Sequence, residues 1–222
     1  MTEKKPPALP HLVRRPSAGG GAPPLLVLLH GFGSNEQDLF GMAPYLDRRL
    51  LIVSLRAPYT LGPGSYAWFE LGYTPTGVVV DPRQIEASVR LVVESIGEAV
   101  AAYDADPRRV YLMGFSQGAM LSGWIALTRP DLVAGAVLMS GRIEPEMLPL
   151  IASPEQLKGM PILMTHGVLD QVLPIQFGRA SRDILARLPV ELTYREYQMG
   201  HEVNTQSLTD VVTWLSARLD GA

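Results

Sequence analysis

Five short and nearly unbroken apolar runs punctuate the chain, at residues 25–29, 50–55, 110–113, 135–139 and 162–164. None alternates cleanly with polar positions, and Gly, Pro, His or Ser flank most of them. Strands read this way when both faces are covered, as in a parallel sheet between layers of helix. Residues 191–197 behave differently: Leu192, Tyr194 and Tyr197 stand among polar neighbours, which predicts a strand nearer the sheet edge. Helical spacing fills the intervals. Residues 82–103 place Ile85, Val89, Val92, Ile96 and Val100 three or four positions apart, behind a capping Asp81 and a first-turn Pro82. Residues 117–129 and 175–188 run into Pro130 and Pro189, and residues 204–219 align Leu208, Val211, Leu215 and Leu219. A further helix is predicted over residues 36–47, after a cap at Ser34 or Asn35. This alternation predicts an α/β fold, with a mainly parallel central sheet and helices on both faces. No composition shift interrupts the series, so residues 25–222 read as a single domain behind a Pro/Gly-rich lead-in at 1–24. Within that lead-in, residues 11–15 offer an edge strand.

The 222-residue chain is 47% hydrophobic with a formal charge of −3, so neither disorder nor a nucleic-acid partner is expected. Without cysteine it has no disulfide, thiolate metal site, iron–sulfur cluster or cysteine nucleophile. Lys4, Lys5, Arg14 and Arg15 are followed by no apolar stretch of leader length. The aliphatic run at 25–29 is far too short to span a bilayer. The expectation is a cytoplasmic protein with no integral membrane association. The 21 Gly and 19 Pro stay conspicuous, because they imply many sharp bends in a compact chain.

Gly114-Phe115-Ser116-Gln117-Gly118 fits Gly-x-Ser-x-Gly, a pattern that says little by itself. Its context says more. The apolar run at 110–113 leads into it, and a helical pattern with Met120, Leu121, Trp124 and Leu127 leaves it. A serine on such a strand-to-helix turn is strained and presents its hydroxyl, while the flanking glycines let strand and helix approach. The plainer alternative is a serine that merely caps the helix. A nucleophilic hydroxyl needs a base, and the base needs an orienting carboxylate, in the chain order Ser, acid, His. Only His166 and His201 follow Ser116. Asp131 directly follows Pro130 and Asp183 lies mid-helix, whereas Asp170 lies just past the carboxyl end of a strand. Active-site groups of open α/β sheets gather at those ends. Ser116, Asp170 and His201 are therefore the candidate catalytic residues, on three loops at one sheet edge.

Two hydrogen-bond donors should meet the developing oxyanion: the N–H of the residue after the serine, and one from an early loop. These are Gln117 and, in His30-Gly31-Phe32-Gly33, Phe32; His30 then orders the loop. Gly31-x-Gly33 also resembles half of a dinucleotide fingerprint, but Glu36 fills the third position and Arg56, not an acid, ends the next strand. No Walker sequence occurs, and His166 with Asp170 lacks a third ligand for a metal. No cofactor and no metal are expected. Residues 57–80 form a long connection in which Tyr59, Tyr66, Trp68, Phe69, Leu71 and Tyr73 crowd together. Trp68, Phe69 and Leu71 are expected to wall an acyl pocket, with Leu173 beside the Asp170 loop. Residues 141–160 are too few for the helical cap of many lipases.

Together these residues resemble the phospholipase/carboxylesterase family of α/β-hydrolases, which includes the acyl-protein thioesterases. The resemblance runs from about Leu25 to the C-terminus. It rests on Leu29-His30-Gly31-Phe32-Gly33, Arg56-Ala57-Pro58, Trp68-Phe69-Glu70, Gly114-Phe115-Ser116-Gln117-Gly118, His166-Gly167 with Asp170, and Met199-Gly200-His201. It implies an α/β-hydrolase fold without a large cap, a triad of Ser116, Asp170 and His201, and oxyanion donors at Phe32 and Gln117. Two departures, Ala119-Met120 after the elbow and Glu70 after Trp-Phe, bear on the acyl pocket. The implied activity is a serine carboxylesterase for short- to medium-chain acyl esters, with a lysophospholipase or acyl-protein thioesterase as the near alternative. A small acyl ester is the expected partner, and homodimerisation is a family-level option. The rival from another class is a non-catalytic α/β-hydrolase-like binding protein.

Overall fold

The structure, a computed structural model, describes residues 6–74 and 77–221. In chain order its strands are β1 (His11–Arg14), β2 (Leu25–Leu29), β3 (Leu51–Leu55), β4 (Tyr59–Gly62), β5 (Ser65–Ala67), β6 (Gly72–Thr74), β7 (Gly77–Val79), β8 (Val110–Phe115), β9 (Gly135–Met139), β10 (Pro161–Gly167) and β11 (Glu191–Tyr197). The helices are α1 (Gln37–Phe40), α2 (Pro82–Tyr103), α3 (Gln117–Thr128), α4 (Pro154–Leu157), α5 (Ile175–Leu185) and α6 (Thr205–Asp220). Seven strands form one sheet in the order β1-β3-β2-β8-β9-β10-β11. Every pairing in it is parallel except β1 with β3, where the lead-in adds an antiparallel edge strand.

The unbroken apolar runs follow from this architecture. Alternate residues of β2, Leu25, Val27 and Leu29, enter a core closed by α2 and α3, while Leu26 and Leu28 enter a second core closed by α1 and α6. Both faces of each central strand are thus dry, so polar alternation disappears. β11, with one free edge, keeps its alternation and is only partly buried. The expected Asp81 cap accepts from the Arg83 N–H, and Asn204 caps α6 by accepting from the Ser207 N–H, whereas the N-cap of α1 is Glu36, without a side-chain bond, rather than Ser34 or Asn35. Among the described residues no helix is long and apolar enough to cross a membrane.

Two expectations change. The helix predicted over 36–47 is a single turn, α1, followed by a 3-10 turn at Ala43–Tyr45. Pro44 lacks the N–H a continuing helix needs, and the Arg14 guanidinium takes up carbonyls of Ala43, Leu46, Asp47 and Leu50 instead. The connection at 57–80, long and without a clear helix or strand pattern in the sequence, folds into two antiparallel hairpins, β4–β5 and β6–β7; Pro75 within it lies outside the described residues. Chain order along the sheet reverses between β2 and β8. The loops that follow these adjacent strands therefore flank one crevice, the usual ligand position in an open α/β sheet.

Candidate active site

β8 runs to Phe115 and α3 starts at Gln117, leaving Ser116 alone on the turn. Its backbone, at φ 52° and ψ −115°, is strained for an L-residue and persists because its surroundings fix it. The Ser116 N–H donates to Met139 O at 2.9 Å, and its carbonyl accepts from the Met120 N–H at 3.1 Å. A Cβ on Gly118 would collide with the backbone of Leu29 and His30, so α3 can sit this close to β2 only with glycine there.

Asp170 and His201 arrive on the loops after β10 and β11. Those loops are joined by hydrogen bonds from the Val168 N–H to Tyr197 O and from the Leu169 N–H to Met199 O, at 2.9 and 3.1 Å. The absence of a side chain at Gly167 lets the Met199 and Gly200 backbone pass directly against it. The outcome is a continuous relay. His201 Nδ1 lies 2.7 Å from Asp170 Oδ2, and His201 Nε2 lies 2.9 Å from Ser116 Oγ. A proton on Nδ1, facing the carboxylate, leaves Nε2 as acceptor for the serine hydroxyl. The Asp170 side chain is fully buried, and its Oδ1 accepts from the N–H groups of Val172 and Leu173 at 2.9 and 2.7 Å. Its orientation is thereby fixed from both oxygens. The His201 ring packs against Phe115, with ring centroids 4.9 Å apart. His166, the other histidine after Ser116, lies behind this relay. It is completely buried, its Nε2–H donates to Leu173 O at 2.8 Å, and it stands 3.6 Å from Asp170 Oδ2.

The other side of the serine is formed by the loop after β2. Hydrogen bonds from Gly33 N–H to Tyr66 O and from Tyr66 N–H to Ser34 O, both 2.9 Å, pin it to the β4–β5 hairpin. His30 is buried beneath it. Its Nδ1–H donates to Gly31 O at 2.7 Å while Nε2 accepts from the Ala57 N–H at 3.1 Å. Burial holds its pKa below the usual imidazole value, so the neutral ring is favoured. Gln117 opens α3, where a first-turn N–H has no acceptor within the helix. Its side chain turns away to the aromatic segment, accepting from the Trp68 N–H and donating to Phe69 O, each at 2.7 Å. Glu36 and Arg56, the two residues that argued against a dinucleotide site, form a two-pronged ion pair at 2.6 and 2.5 Å. The Arg56 hydrogen bonds hold the Glu36 carboxyl below the usual range.

A cavity of about 350 Å³ adjoins Gln117 and Phe32 and is lined also by Phe69, Leu71 and Leu173. Trp68 is not part of it. The indole is wholly buried, its N–H donates to His30 O at 2.9 Å, and its carbonyl accepts from Ser88 Oγ. The polar N–H needs a buried acceptor, and the loop carbonyl supplies it, so the ring faces the core and supports the wall from behind. The Tyr73 side chain lies outside the described residues. Met120, whose place after the elbow bears on the pocket in the sequence, lies in the lining, and Val80, Arg142, Val172 and Phe177, not singled out from sequence, complete it. Arg142 had a signal: like Asp170, it follows the carboxyl end of a buried-type strand. Glu70 lines a second, more open depression with Asp81 and Gln84, and shares two hydrogen bonds with Gln84. Among the described residues no group of three or more His, Asp or Glu side chains could hold a metal ion.

The sequence model of the phospholipase/carboxylesterase family matches residues 17–219. The carboxylesterase SOBER1 of Arabidopsis thaliana is 26% identical over 85% of this chain and 80% of its own length. Acyl-protein thioesterase 1 of Kluyveromyces lactis is 26% identical over 93% of this chain and 97% of its own. Among solved structures, that of esterase PE8 superposes with a TM-score of 0.81 at 28% identity, covering 94% of this chain and 97% of the other. A match across nearly the whole sheet, with the elbow serine and its flanking loops inside it, settles the kinship: the chain belongs to the phospholipase/carboxylesterase family and has the α/β-hydrolase fold.

Proposed function

We propose that this protein is a serine carboxylesterase that hydrolyses short- to medium-chain acyl esters through an acyl-enzyme intermediate. The observation that carries the reading is the relay from Ser116 Oγ through His201 to the buried Asp170, at 2.9 and 2.7 Å. Ser116 attacks the acyl carbonyl as His201 Nε2 takes its proton, and Asp170 stabilises the imidazolium that forms. The tetrahedral oxyanion accepts hydrogen bonds from the backbone N–H groups of Gln117 and Phe32. His201 then returns the proton to the departing alkoxide. A water, deprotonated by the same nitrogen, releases the acid. Phe69, Leu71 and Leu173 receive the acyl chain, and the modest cavity of about 350 Å³ favours short to medium lengths.

An acyl-protein thioesterase or lysophospholipase uses the same relay, and similarity to the Kluyveromyces thioesterase keeps that reading next in line. A binding protein without catalysis has no need for three groups aligned at hydrogen-bond distance. The test is hydrolysis of a graded series of p-nitrophenyl esters with an acyl thioester included, for wild type and Ser116→Ala. The expected result is turnover that peaks at short to medium chains and vanishes in the variant. A well-folded wild type that cleaves none of them, or equal rates in the variant, overturns the proposal.

A further inference from the structure

Arg142 stands out in the acyl cavity. Apart from Gln117, whose amide is already engaged with Trp68 and Phe69, it is the one polar side chain among the described residues lining that space. It follows β9, immediately after Ser140 and Gly141, and its side chain retains 30% exposure. Two contacts fix its guanidinium. The Nε–H donates to Glu144 Oε1 at 2.7 Å, and the Phe177 ring lies beneath, 5.2 Å from the guanidinium carbon to the ring centroid. The bond to Glu144 is made through Nε rather than through a terminal nitrogen. Arginine carries five N–H donors, so the end-on pair of terminal nitrogens stays open while the group is held in one orientation.

We propose that Arg142 makes this esterase selective for acyl groups that carry a carboxylate at the end remote from the scissile ester. The proposal rests on the serine-esterase reading above. A plain alkyl chain that fills the cavity strips water from the terminal nitrogens and gives nothing back, which disfavours it. A carboxylate on the chain replaces that water with two parallel charge-assisted hydrogen bonds in the end-on geometry. Because Glu144 and Phe177 already immobilise the guanidinium, little further ordering is needed on binding. The apolar side chains around it keep the contact drier than a surface ion pair, and so stronger.

The experiment compares the mono-p-nitrophenyl ester of suberic acid with its methyl-capped counterpart, which has the same acyl backbone plus one methyl and carries no charge. The readout is the ratio of kcat/KM for the free acid to that for the capped ester, in wild type, Arg142→Met and Arg142→Lys. Thermal unfolding verifies that each variant is folded. The wild-type ratio is expected to exceed one, to fall about tenfold or more in Arg142→Met, chiefly through KM, and to recover partly in Arg142→Lys. A wild-type ratio at or below one, or the same ratio in Arg142→Met, overturns the proposal. Turnover of the capped ester by the wild type leaves the esterase reading intact in either case. Failure to cleave both esters overturns both.

Discussion

The side-chain Oε1 of Gln117 accepts a hydrogen bond from the backbone N–H of Trp68 at 2.7 Å, so the residue beside the candidate nucleophile also holds the aromatic wall. Its Nε2 donates to Phe69 O at the same distance. Gln117→Leu leaves one buried donor and one buried acceptor without partners, and a loss of about 2–4 kcal/mol in unfolding free energy is expected. Gln117→Glu retains the acceptor but sets a buried carboxylate oxygen against the Phe69 carbonyl, so at neutral pH it should cost at least as much. Denaturant unfolding of both variants checks this; a loss in Gln117→Leu within about 0.5 kcal/mol of zero would show that the amide does not clip the segment.

Asp170→Asn separates orientation from packing. The Asn oxygen can still accept from the Val172 and Leu173 N–H groups, which lie 2.9 and 2.7 Å from Asp170 Oδ1, so the loop should keep its shape. Its amide, however, would face His201 Nδ1 and place the imidazole proton on Nε2, pointing at Ser116. A fall in kcat on the order of 10³–10⁴ is expected, with only a small change in melting temperature. A fall of less than tenfold would mean that His201 does not depend on Asp170 for its tautomer.

Acid should weaken the fold in two stages. His30 is buried neutral with its pKa depressed from 6.5 by desolvation, so the unfolded chain binds its proton first. Stability then falls as pH drops from about 6.5 to the lower folded value, the window set by that depression. Glu36 is depressed from 4.5 by its Arg56 hydrogen bonds; its contribution is full above that value and disappears as pH falls through the folded one. Melting temperature measured from neutral pH downward should fall through the His30 window and fall again below it. NMR titration of the His30 ring with a midpoint at or above 6.5 would contradict the assignment.

Much of this was legible in the order of residues. Leu25–Leu29 lies between two cores, and a strand covered on both faces has no room for polar alternation, so its pattern reveals its place in the sheet. Ser116, Asp170 and His201 each follow a strand end, and parallel strands bring their ends together. Features that depend on distant partners were hidden. The split of the 36–47 helix depends on Arg14 reaching carbonyls some thirty residues away. The hairpins of the aromatic segment depend partly on a bridge from Ser34 to Tyr66. Trp68 and Phe69 are neighbours of similar chemistry, and only the His30 carbonyl decides that Trp68 turns inward while Phe69 meets the cavity.

Mass-spectrometric mapping of a fluorophosphonate adduct on the folded protein tests most directly whether Ser116 is an activated nucleophile. Such probes phosphonylate only a serine whose hydroxyl is activated and whose oxyanion is stabilised. One stoichiometric adduct is expected on Ser116, absent from Ser116→Ala and strongly slowed in His201→Ala. No adduct on well-folded protein, or an adduct on another serine that persists in Ser116→Ala, would contradict it.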